Sequence, residues 1–194
     1  MSNAPIRVVK SILFLAAALV ALPALAADPE ARAKTEVAVI KAIAPGAAIT
    51  CFKNEDGETY CKADDHDLQL RGCGDGAFYG RIAADRGVDL SQAIDGHGKV
   101  TAHLKKGQFV CSAVTAMGKD DSREFVIAVP TASVPDCKGN ELCKNADFPT
   151  EWKGPKPSGK CDPNAEPSSG YANCAAGWIE GGDLDGYSMG LKDQ

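Results

Sequence analysis

The chain has 194 residues and a formal charge of −5, with 21 basic residues against 26 acidic. That length suits one domain with a modest core. The acidic balance excludes nucleic acid and anionic membrane as expected partners, since both require basic patches.

Met1 to Lys10 carries Arg7 and Lys10 and no acid, Ile12 to Leu22 is apolar, and Ala24-Leu25-Ala26 is a small-x-small site. The apolar run is too short to span a bilayer, so residues 1–26 are predicted to be a secretory signal cut after Ala26. Losing Arg7 and Lys10 leaves 19 basic residues against 26 acidic, a net −7. No later stretch approaches the ~20 apolar residues of a membrane helix. The expected location is the periplasm or the cell exterior, not embedded in membrane.

Asp28-Pro29-Glu30 starts a helix: Asp28 accepts from an orphan amide, Pro29 suits the first helical position, and Glu30 favours the positive dipole end. Val37, Ile40, Ile43 and Ala44 recur at helical spacing until Pro45-Gly46 ends the element. Residues 27–47 are therefore read as an N-terminal helical segment, with the helix over Pro29 to Ile43.

Residues 48–194 read as a disulfide-rich β domain. Strands at Ile49–Lys53 and Glu58–Lys62 flank Asn54-Glu55-Asp56-Gly57, a turn in which Gly57 supplies a positive φ. That register sets Phe52 opposite Tyr60 and Cys51 opposite Cys61. Leu68 and Leu70 alternate in a short strand, Phe78 to Ile82 is apolar, and Arg86 to His97 is expected to be irregular with a helical turn. Val100, Ala102 and Leu104 form another strand. Gln108–Met117 and Glu124–Val129 are the expected sheet centre. Phe148 to Tyr171 holds five prolines without periodicity, so a long Pro/Gly-rich loop is expected at 148–171.

All eight cysteines follow the cleavage site, and an even number in an oxidising compartment implies four disulfides. Cys51 with Cys61 follows from the hairpin register, and Cys137 with Cys143 from the short loop between them. Cys161–Cys174 and Cys73–Cys111 follow by proximity and elimination. Zinc is disfavoured, because no C-x-x-C pair and no suitably spaced histidine pair is present. With aromatics at only 6% of residues, these links should supply much of the net stability.

Asp64-Asp65-His66-Asp67 is the densest group of metal-capable side chains. Neighbouring side chains in a strand diverge, so a solvated acidic loop is the favoured reading. Gly181–Gly186 has an Asp-x-Asp-Gly pattern but lacks the closing glutamate of a calcium loop, and reads as a turn between two short strands. His97 and His103 are the other imidazoles, with no spare thiol to activate. Neither a nucleophile elbow nor a phosphate loop is present. The expectation is a non-enzyme with no catalytic residues, no metal site and no cofactor.

Three stretches resemble the bacterial SH3-type (SH3b) module. Leu68-Gln69-Leu70-Arg71-Gly72-Cys73-Gly74-Asp75-Gly76 is similar to its opening strand and turn. Leu104-Lys105-Lys106-Gly107-Gln108-Phe109-Val110 is similar to one of its strand entries, and Gly177-Trp178-Ile179-Glu180-Gly181-Gly182-Asp183-Leu184 to its closing segment. The resemblance implies a mainly β (α+β) fold: the helix, then a small disulfide-stabilised SH3-like β-barrel with long loop insertions. It also implies a binding role toward a cell-wall component, peptidoglycan or peptide, with Trp178 and Tyr187 as groove aromatics. The alternatives are a periplasmic inhibitor or immunity protein that plugs a basic hydrolase cleft, which suits the acidic charge, and a metal-dependent hydrolase using Asp64, Asp65, His66 or Asp67.

Overall fold

The structure is a computed structural model that describes residues 29–55, 59–74, 77–162, 171, 173–187 and 191. The expected signal at 1–26 and the turn residues Asp56 and Gly57 lie outside the described residues.

Helix α1 (Pro29–Ile43) buries Val39, Ile40, Ile43 and Ala44 against the sheet. Burial of a branched aliphatic side chain contributes roughly 2 kcal/mol, so this stripe holds the helix down. Gly46, at φ +94°, takes the left-handed conformation that ends it. A second tie comes from the sheet: the Trp178 indole N–H donates to the Ile43 carbonyl at 2.7 Å.

The strands are β1 (Ile49–Lys53), β2 (Thr59–Ala63), β3 (His66–Leu70), β4 (Phe78–Ile82), β5 (Val88–Ser91), β6 (Val100–Leu104), β7 (Phe109–Met117), β8 (Ser122–Ala128), β9 (Glu151–Trp152), β10 (Ala176–Glu180) and β11 (Leu184–Gly186). They form one antiparallel sheet in the order β1-β2-β3-β7-β8-β10-β5-β6-β9, with β4 joining β7 to β11. The expected mainly β fold is present. The expected closed barrel is not, because the path ends at β1 on one side and β9 on the other, and the two never pair.

Strand β7 explains the layout. It is buried along Phe109–Ala116, and one of its edges serves two partners. Val114–Met117 pairs with β3, while Phe109–Ser112 pairs with β4. The change falls at a bulge on the β8 side, between Ser112 and Val114. There the Ala113 carbonyl accepts from the amides of Arg71 and Gly72, at 2.8 and 3.0 Å, as the chain leaves β3.

Each face of the sheet buries a separate core. One holds Phe109, Cys111, Val114, Phe125, Ile127 and Trp178 under α1. The other holds Ile82, Leu90, Leu104, Val110, Val126 and Ile179 between the central strands and β5–β6, which curl over them. Two expectations need correction. Residues 88–91 form a strand, because Val88 and Leu90 alternate into the second core. The 148–171 stretch is not wholly loop, since Glu151 and Trp152 pair with His103 and Ala102.

Four disulfides pair all eight cysteines. Cys51–Cys61 links β1 to β2, and Cys73–Cys111 anchors the turn after β3 to β7. Cys137–Cys143 joins two 3₁₀ turns, and Cys161–Cys174 ties the long excursion to the start of β10. Arg81 pins the 3₁₀ segment to β4 by donating to the carbonyls of Leu142 and Lys144, each at 2.8 Å.

Candidate functional site

The cysteine link decides which way the first hairpin faces. Cys51 and Cys61 are directly opposed and turn inward, Cys61 being 4% exposed. Alternation along the strands then sends their neighbours outward. Phe52 and Tyr60, also directly opposed, are 47% and 44% exposed, with ring centroids 6.0 Å apart and planes within 18°.

The same face continues across the sheet. Lys62 stands opposite Asp67, Asp67 opposite Met117, Gln69 opposite Thr115, and Thr115 opposite Glu124. Phe78, opposite Ser112, borders this row. Among the described residues, four of the five exposed large hydrophobics, Phe52, Tyr60, Phe78 and Met117, lie here, and Phe148 is the fifth. Clustering on one face marks an interaction surface in a way that scattered exposure does not.

Polar groups fill the spaces between the rings. The Arg71 guanidinium lies 4.0 Å above the Phe78 ring, and one of its nitrogens donates to Gln69 Oε1 at 2.7 Å. Ser112 and Thr115 both donate hydroxyl hydrogen bonds to Glu124 Oε2. Burial raises the pKa of Glu124 above its ordinary value, opposed by those two hydroxyls and the Arg71 charge. Lys62 and Asp67 form an ion pair at 2.9 Å. The face is therefore a shallow platform of rings with charged and hydroxyl groups held among them. Such an arrangement can stack on flat C–H surfaces while hydrogen-bonding around them.

The residues expected to bind ligand lie elsewhere. Trp178 is 1% exposed, packed edge-on against Phe125, and its N–H is committed to α1. Tyr187 is 8% exposed, and its hydroxyl donates to the Leu142 carbonyl at 3.1 Å. Both are core residues and not groove aromatics. The reason is physical: β10 is a central strand, buried on both faces, and β11 folds back on β4.

The Asp64–Asp67 run also disperses. Asp64, at φ +54°, accepts from the Ala48 amide at 2.9 Å, and Asp67 turns to Lys62. His66 is buried between Asp65 at 2.9 Å and Asp121 at 3.2 Å, one on each ring nitrogen. Neither contact has hydrogen-bond alignment. Because they lie on opposite sides of the ring, the two carboxylates do not converge on one point. No group of three metal-capable side chains occurs among the described residues. His97 is exposed in a loop, with its amide on Asp95, and His103 pairs with Asp89.

The sequence pairs Phe52 with Tyr60 but does not by itself reveal the platform. The signal lay in the cysteines beside them: if Cys51 and Cys61 face inward, both rings must face out. Among the described residues no helix is long and apolar enough to cross a membrane. The chain matches no protein-family model, no curated protein and no solved structure.

Proposed function

We propose that the chain is an exported, non-enzymatic, SH3b-like binding module whose ring platform recognises a cell-envelope glycan, the sugar strand of peptidoglycan. The observation that carries this reading is the row of Phe52, Tyr60 and Phe78 on one face, interleaved with Gln69, Arg71 and Lys62. A pyranose offers a flat C–H face to stack and a rim of hydroxyls to hydrogen-bond, and the platform carries groups for both. Four disulfides suit a protein working in an oxidising compartment.

Kinship with SH3b modules is supported by where the resembling stretches fall. The first begins in β3, the second runs from the end of β6 into β7, and the third covers β10, the 3₁₀ turn Gly181–Asp183 and the start of β11. Strands β3, β7, β8 and β10 are consecutive neighbours, and β11 returns to β4. On this reading β1–β2 and β5–β6 are additions that leave the sheet open.

Co-sedimentation with purified peptidoglycan sacculi is the test. Wild-type protein is expected in the pellet, and the Phe52→Ala/Tyr60→Ala variant in the supernatant. Both side chains are exposed, so the variant keeps its core. Equal pelleting of the two, or no pelleting of wild type, would reject the glycan reading. Retention of wild type only by an envelope protein would reject it in favour of a protein ligand.

A further inference from the structure

Strands β10 and β5 are neighbours in the sheet but meet at a single register pair, Trp178 opposite Ser91. Beyond that pair they splay, opening a cleft of about 450 Å³ between Val88 and Asp89 on one side and Ile179 and Glu180 on the other. That volume lies within the range of small-molecule sites. The cleft is distinct from the ring platform and shares none of its residues.

The walls carry charges that are mostly spent on one another. Asp89 accepts from His103 Nδ1 at 2.8 Å. The Arg123 guanidinium, with only 18% of its side chain exposed, lies 3.1 Å from Asp121 and 3.6 Å from Glu180. Gly87 admits the imidazole. Its φ is +74°, and a Cβ there would meet His103 Nε2 at 2.7 Å and the Leu104 carbonyl at 2.3 Å. Two charges remain. Arg86 and Asp183 both line the cleft, and neither side chain has an ion-pair partner among the described residues.

We infer that this cleft binds a short zwitterionic peptide, its carboxylate on Arg86 and its ammonium on Asp183. A simple anion would face Asp183 and Glu180, and a simple cation would face Arg86. Only a ligand with both charges is complementary to both unpaired side chains. Arginine suits the ligand's carboxylate because its planar fork bonds both oxygens at once. The inference stands whether or not the ring platform takes glycan.

Alanyl-alanine, titrated into ¹⁵N-labelled protein at low salt, is the probe. Saturable shifts are expected at the amides of Gly87, Glu180 and Asp183. Acetylating the amine or amidating the carboxylate should each weaken binding by about tenfold, the loss of one charge-assisted contact. Arg86→Ala and Asp183→Asn should each do the same. Neither substitution touches the backbone bond from the Ala83 amide to the Asp183 carbonyl, so the fold is kept. Absence of saturable shifts at these amides, or equal binding of the blocked dipeptides, would overturn the inference. The titration is read at cleft amides and the sacculi assay at the Phe52→Ala/Tyr60→Ala difference, so failure of the glycan reading leaves this result intact.

Discussion

Replacing Trp178 by phenylalanine separates a core role from a binding role. The indole is 1% exposed and donates to the Ile43 carbonyl at 2.7 Å. Phenylalanine keeps most of the apolar contact with Phe125 but leaves that carbonyl without its donor, at about 1–3 kcal/mol. The space left by the smaller ring adds roughly 1 kcal/mol. A total near 3 kcal/mol lowers the melting temperature of a domain this size by about 6–12 °C. Scanning calorimetry on the oxidised protein measures it, and sacculi co-sedimentation of the same variant at 25 °C should match wild type. A melting temperature within about 2 °C of wild type, or intact stability with lost retention, would refute the core assignment.

Glu124 gives a pH signature. Its folded pKa is raised, chiefly by burial, above an ordinary value of 4.5. The folded state therefore holds its proton longer than the unfolded state. The stabilisation is full below the ordinary value and is lost as pH rises through the folded pKa. Glu124→Gln should flatten that decline in urea titrations across the window just above pH 4.5, and an unchanged slope would contradict the burial. The disulfides should differ in weight. Cys73–Cys111 spans 38 residues and Cys137–Cys143 spans 6. Chain entropy predicts losses of about 4 and about 2 kcal/mol on replacing each pair by alanine. The reverse order in calorimetry would show that loop closure does not govern them.

What the sequence revealed was local. Pro29 and Pro45-Gly46 mark the ends of α1, and the bridge at Cys51–Cys61 agrees with the hairpin register that sets the two residues opposite each other. What stayed hidden was long-range. The sharing of one β7 edge between β3 and β4 depends on a bulge at Ala113 that leaves no compositional mark. Residues 88–91 looked polar because Asp89 and Ser91 alternate with Val88 and Leu90, and only the curl of β5–β6 over the second core gives those two apolar residues a place to go. The SH3b resemblance implies a groove for Trp178, and the residue instead lies in the core. Its partner carbonyl lies 135 residues away, beyond any local pattern.

Mapping contacts by NMR with solubilised disaccharide–peptide fragments of peptidoglycan tests the central claim most directly. The account predicts that resonances of Phe52, Tyr60, Gln69 and Arg71 shift on addition of the sugar portion alone. Shifts of these four residues that need the peptide portion, or no shifts in β1–β3 at all, would contradict it.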